Sequence, residues 1–174
     1  IVARAGVAQG TFYLYFRSKR DVVLALLDRF CGLLLSERRE TGTEIGQADQ
    51  EWQARMAGRL RRLLRVIYEH RSLARLFFRE ALGSDPEIEA RVRAFHAEMA
   101  AVNEALLREA MRRGFVRPLD TRVVGVALNG LWERAIVQFV LLGPEEVDID
   151  RLTEELVALQ LNGIRARPNA QEES

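Results

Sequence analysis

Apolar residues recur in this chain at intervals of three and four, and nowhere do they alternate over a useful length. From Trp52 the series Met56, Leu60, Leu63, Leu64 and Ile67 follows one helical face, and from Ile88 the series Val92, Phe95, Met99, Val102 and Leu106 does the same. That spacing collects side chains along one stripe of an α-helix and scatters them over both faces of a strand. With only four prolines in 174 residues, little interrupts it. The expected fold is all-α.

Punctuation marks divide the pattern into seven or eight helices. The run S-K-R-D at 18–21 has capping-box spacing and opens the apolar series Val22, Val23, Leu26, Leu27, Phe30. Residues 39–49 carry two glycines and two threonines without periodicity and read as a loop. A short helix over 73–82 ends at Gly83, after which Asp85 as cap, Pro86 in the first turn and Glu87 beside the dipole start a long one that stops at Gly114. Asp120 caps a helix running to Leu142, closed by Gly143-Pro144, and Asp148 or Asp150 opens the last. The tail beyond Pro168 is polar and expected to fray.

Charge is unevenly placed. Residues 1–30 hold five bases against two acids, and residues 133–174 nine acids against four bases. A basic end on a chain of net charge +1 suits a polyanion at that end only, although ordinary surface charge explains it as well. Lys19 is the one lysine among 26 basic residues, which carries no functional argument. The single cysteine, Cys31, lies in an apolar run, rules out an intrachain disulfide and reads as a structural thiol in a reducing, cytoplasmic protein. Residues 123–142 are long and apolar enough to raise a membrane span, but Glu133, Arg134 and Gln138 interrupt them.

The first thirty residues carry the functional signal. Ile1, Val2 and Ala5 form the apolar side of a helix ending at Gly6, and a second helix runs from about Gln9 to Tyr15. Helix, short glycine turn and helix make a helix-turn-helix, whose second helix lies in the major groove. Phe12 and Phe16 face the small core, leaving Gln9, Gly10, Thr11, Tyr13 and Leu14 outside. Those side chains suit DNA: hydroxyls for phosphates, an amide for base edges, an apolar group for a thymine methyl.

The pattern A-G-V-x-x-G-T-F-Y-L-Y-F-x-S-K-x-x-V resembles the DNA-binding signature of TetR-family regulators. The resemblance implies a helix-turn-helix domain over 1–30, including the start of a connecting helix, and a helical effector-binding and dimerisation domain over 31–174. It implies that Thr11, Tyr13 and Tyr15 contact phosphate or brace the recognition helix, that Gln9, Gly10 and Leu14 approach bases, and that Lys19 binds phosphate. Ala8 stands where the family usually has a capping Ser or Thr, a loss of roughly 1 kcal/mol. The family also has a helix and the beginning of the next before the position of Ile1, so a preceding segment is expected.

The implied function is a repressor that binds a palindromic duplex as a homodimer and is released by a small, largely hydrophobic effector. A fatty acyl-CoA is one candidate, from the faint likeness of LARLFFREALG at 73–83 to regulators of fatty-acid metabolism. An effector cavity is expected in the middle bundle, lined by Phe77, Phe95, Met99, Trp132 and Phe139 with His96, Asn103 and Asn129 as polar anchors, though core packing is the better reading for each taken singly. The arginine faces Arg55/Arg59/Arg62 and Arg75/Arg79 read as solvated, or as flanking a pocket mouth for an anion. The helices 120–142 and 150–165 carry surplus apolar surface, and Gly125, Leu128, Trp132, Ala135, Leu152, Leu156, Leu159 and Gly163 are the expected dimer contacts. No Gly-rich phosphate loop, G-x-S-x-G, CxxC or HExxH is present, and His70 and His96 lack metal-ligand company. No cofactor, metal or catalysis is expected. A structural helical adaptor is the remaining rival, and it has no use for the outward Thr, Tyr and Leu set.

Overall fold

The computed structural model describes residues 15–40, 48–80 and 85–164. Over these the chain forms α1 (Lys19–Glu40), α2 (Asp49–Glu69), α3 (Arg71–Glu80), α4 (Pro86–Arg112), α5 (Thr121–Ala135), a π-helical segment Ile136–Leu141, and α6 (Ile149–Ile164). The fold is all-helical, as the spacing predicts. The boundary at residue 30 lies inside α1, so one helix serves both parts of the chain.

The helix starts follow their side chains. Asp85 accepts from the backbone N–H groups of Glu87 and Ile88, and Asp120 from those of Arg122 and Val123, satisfying donors that a helix N-terminus leaves open. Of the two aspartates before α6, Asp148 is the cap, accepting from the Arg151 N–H at 2.9 Å, while Asp150 pairs with Arg61 of α2 at 2.5 Å. At the head of α1 the Asp21 N–H donates to Ser18 Oγ at 3.2 Å and the Ser18 hydroxyl donates back to Asp21 Oδ1 at 2.9 Å. Gly114 ends α4 with φ of 79°, where a side chain is strained.

The main core joins Leu27, Phe30 and Leu34 of α1 to buried residues of α2, α3 and α4. A second, smaller cluster of Trp52, Leu107, Ala110, Val116, Leu128 and Ile164 closes the far end. Helix α5 lies along α4, and a Cβ at Gly125 would stand 3.4 Å from the Ala100 carbonyl oxygen and the Glu104 nitrogen. That glycine permits the close approach of the two backbones.

The segment expected as one α-helix over 120–142 changes pitch at residue 136. The π turn is wider, so each residue advances less around the axis. In unbroken α register Phe139 would share the inner side with Leu128 and Ala135, and Leu141 would face out. Here Val140 and Leu141 are buried, while Phe139 is 53% and Leu142 70% exposed. The Leu141 carbonyl accepts from Arg75 Nε and Nη2 at 3.2 and 3.0 Å. Val123 and Val126 are also exposed, so the helix is bare along one side rather than covered all round. By length and composition Thr121–Leu141 is apolar enough to cross a membrane. It nevertheless carries Glu133 and Arg134 mid-length and packs its inner side on α4.

Candidate functional site

Of the residues expected at DNA, Lys19 is exposed at the head of α1 and Tyr15 is exposed just before it; Gln9, Gly10, Thr11, Tyr13 and Leu14 lie outside the described residues. The first turn of α1 is firmly built. Asp21 accepts from the Ser18 hydroxyl and from the Arg17 N–H at 2.9 Å, and these bonds, the hydroxyl's first, hold its carboxyl below the ordinary carboxylate range. Arg20 then reaches the start of α4. Its Nε donates to Asp85 Oδ2 at 2.5 Å, and its Nη2 to Asp85 Oδ1 at 3.1 Å and Glu87 Oε2 at 2.8 Å. Two turns on, Asp28 pairs with Arg91. These two ion pairs thus tie the first three turns of α1 to the first turns of α4.

Between helices α1 to α6 lies a cavity of about 130 Å³. On α1 it is lined by Phe30, Leu34 and Arg38, spaced one turn apart along one face. Phe95, His96, Met99 and Asn103 of α4 stand opposite, with Asn129 and Trp132 of α5 and Phe77 of α3. The expectation of a cavity between these helices and seven of its eight proposed residues therefore fall together. Phe139 is the exception: the π turn swings it outward, and it lines no part of the cavity.

The two ends of the cavity differ in chemistry. At one end Phe77 meets Phe30 at 5.7 Å and Phe95 at 5.3 Å between ring centroids, the latter nearly edge-on. His96 lies against both Phe77 and Phe95, with Nδ1 3.7 Å from Glu133 Oε2. At the other end Arg38 Nη2 donates to Asn103 Oδ1 at 2.5 Å, and Asn103 Nδ2 donates to Asn129 Oδ1 at 2.5 Å. Arg59, 6% exposed, lines the same wall. Burial, and then the charge of Arg59, pull the Arg38 guanidinium down to about 10.

Arg38, Trp52 and Gln160 are cavity residues that sequence reasoning did not place there, and Arg59, expected as solvated or at a pocket mouth, lines the cavity too. The Arg55/Arg59/Arg62 face does not behave as one surface. Arg55 and Arg62 are exposed and pair with Glu51 and Glu37, whereas Arg59 turns inward. The signal was present in the spacing: Arg59 lies between the inward positions Met56 and Leu60, and Arg38 one turn after Leu34.

The eight expected dimer contacts separate in the same way. Leu159 and Gly163 are exposed, and Trp132 and Leu152 half-buried. Gly125, Leu128, Ala135 and Leu156 face the interior of this chain and are already covered by its own helices, which leaves them no surface for a partner. The outer side carries Val123, Val126, Phe139, Leu142 and Leu159 instead. Cys31 is half-buried, and burial pushes its thiol up to about 11.

The family profile "Bacterial regulatory proteins, tetR family" matches residues 1–26, and "Tetracyclin repressor-like, C-terminal domain" matches residues 49–164, two thirds of the chain. The chain belongs to the TetR family. This TetR-family transcriptional regulator is 22% identical over 165 residues to the Fatty acid metabolism regulator protein of Bacillus subtilis (strain 168), covering 94% of this chain and 82% of that one. Among solved structures it resembles a protein described as a TetR-family transcriptional regulator from Syntrophomonas wolfei str. Goettingen, with TM-score 0.66, 18% identity and coverage of 91% and 78%. It also resembles a protein with unknown function from Rhodococcus sp. RHA1, with TM-score 0.67, 15% identity and coverage of 94% and 82%. At these identities the two structures speak for the fold.

Proposed function

We propose that this TetR-family regulator is a cytoplasmic repressor that binds a palindromic operator as a homodimer and is released by a hydrophobic effector of the fatty-acyl class, without catalysis. The observation that carries this reading is the placement of the cavity on α1 itself. Phe30, Leu34 and Arg38 face it, while Lys19, a proposed DNA contact, opens the same helix and Tyr15 lies just before it. At about 130 Å³ the cavity is smaller than the roughly 300–1,000 Å³ typical of filled ligand sites. An effector larger than the cavity parts the helices around it, and α1 is one of them. Recognition helices of a dimer must stand about 34–36 Å apart to enter successive major grooves, so a tilt of α1 in each protomer weakens both contacts. The ligand acts only through its unequal affinity for the two arrangements.

The exposed stripe on α5, the π segment and α6 supports the second copy of the chain as partner, because a two-fold axis through it places two identical heads on one side. The name of the Bacillus subtilis relative supports a fatty-acyl effector, as does the apolar lining. Gln9, Gly10, Thr11, Tyr13, Leu14, Tyr15 and Lys19 are the proposed DNA contacts.

The test is release from DNA. The protein should shift a palindromic duplex selected from random sequence, and dodecanoate or dodecanoyl-CoA should free it. Lys19→Ala should weaken all duplexes alike and reduce the salt slope by about one unit, whereas Gln9→Ala should alter the selected sequence. A protein that selects no duplex, or one that no alkyl compound releases, defeats the reading.

A further inference from the structure

We infer that the π turn at Ile136–Leu141 is a register switch joining the cavity to the dimer face: at α pitch Phe139 turns in to the cavity side and Leu142 leaves the outer stripe. The inference rests on the effector and homodimer readings above and names the element that couples them.

Three observations lead to it. The first is that pitch decides which side chains face out. The Leu142 N–H donates to the Val137 carbonyl, five residues back, at 3.0 Å, where an α turn spans four. One extra residue in a turn sets back everything after it by roughly 100°. That setback brings Leu142 into line with the exposed Val123 and Val126 and buries Val140 and Leu141. Without it Phe139 falls seven residues after Trp132 and three after Ile136, both in the cavity wall, and Leu142 falls seven after the buried Ala135. The second is that apolar burial does not choose between the pitches. Six of the seven residues 136–142 are apolar. The π pitch buries Val140 and Leu141, and the α pitch buries Phe139 and Leu142 in their stead. Two packings of similar apolar content make a bistable element.

The third is that contacts from outside the segment hold the rarer pitch. Arg75 of α3 donates from Nε and Nη2 to the Leu141 carbonyl at 3.2 and 3.0 Å. The Tyr68 hydroxyl and Arg71 Nη1 each donate to the Glu145 carbonyl at 2.8 Å. These bonds keep the end of the segment against α3. Gly143 passes so near it that a Cβ there would stand 2.4 Å from the Phe139 carbonyl oxygen, a distance at which the backbone must move. An occupant of the cavity and an inward Phe139 ring compete for one side of the bundle. Effector binding therefore favours the π pitch and the outer position of Leu142, and by linkage dimerisation favours the effector by the same factor.

The experiment compares Arg75→Met, Gly143→Ala and deletion of Gln138 in the full chain. Gln138 is exposed, and removing one residue from the turn restores α pitch with Val140, Leu141 and Leu142 facing as they do now. Sedimentation equilibrium should show both single substitutions weakening the dimer about tenfold or more at unchanged helicity. In the chain lacking Gln138, Arg75→Met should change the dimer less than about twofold, because no extra residue remains to be taken up. Dodecanoate should bind each single variant about fivefold more weakly than wild type, and adding Phe139→Ala should restore its affinity by removing the competing ring. Equal weakening by Arg75→Met with and without Gln138 makes the bond a strut and overturns the switch. So does a dimer that both single variants leave intact. If circular dichroism shows the deleted chain unfolded, rescue by Phe139→Ala decides, and its failure overturns the switch. A monomeric wild type defeats the homodimer reading and the switch with it. A wild type that binds no dodecanoate defeats the effector reading, and the dimer measurements still decide the pitch.

Discussion

Arg20 donates from Nε to Oδ2 of Asp85 at 2.5 Å. The bond joins the neighbour of Lys19 to the cap of the helix that carries Phe95, His96, Met99 and Asn103 into the cavity. The start of α1 and the cavity-lining helix α4 thus share an ionic contact between residues 65 apart in sequence. Asp28 with Arg91 makes a second along the same pair of helices.

If this contact transmits release, Asp85→Asn should separate binding from response. Asparagine still caps a helix but forfeits the charge that faces Arg20. Effector affinity should stay within twofold, and the ratio of operator affinities without and with effector should fall about fivefold or more, within the usual range of coupling between sites. Anisotropy of a labelled operator measures the ratio. An unchanged ratio would make the contact a passive strut.

The same pair predicts an acid limb. The Arg20 hydrogen bond, then the backbone donors of Ile88 and Glu87, hold the Asp85 carboxyl below its ordinary range. Its contribution is complete above the value of the unfolded chain and is lost as pH falls through the lower folded value. Melting curves from pH 7 to pH 3 should show wild type losing more stability than Asp85→Asn. Parallel curves would contradict the assignment.

Dimerisation should depend on the outer stripe and not on Leu156. Val126→Arg or Leu142→Asp, at exposed positions, should leave helicity unchanged and give a sedimenting mass near 19.8 kDa instead of twice that. Leu156 is 8% exposed inside the monomer, so Leu156→Asp buries a carboxylate and should unfold the chain outright. A dimer that survives both surface substitutions refutes the interface.

Phe95 is as much a core residue as a ligand contact, edge-on to Phe77 at 5.3 Å. Truncation to alanine should cost about 3–5 kcal/mol, which lowers the melting temperature by roughly 6–20 °C in a chain of this size. Calorimetry checks it. A change under about 2 °C would mean the cavity collapses around the missing ring.

Local rules were legible without coordinates. The caps Asp85 and Asp120, the stop at Gly114 and the all-helical fold follow from hydrogen-bonding groups and conformational limits within a few residues, and those act on any chain that reads this way. Seven of the eight residues expected around a cavity do line one, since large inward side chains on neighbouring helices meet wherever the helices pack. What lay beyond was decided by register and by partners distant in sequence. One π turn, its last carbonyl held by Arg75 of another helix, sends Phe139 outward and Leu141 inward, and no periodicity announces a change of pitch. Glycine at 125 and leucine at 128 and 156 look alike whether their face meets a second copy or the chain's own α4 and α2; only the packed helices assign the face. Arg59 and Arg62 are three residues apart and chemically identical, yet one is buried and the other exposed, because tertiary packing chooses which side of α2 is covered.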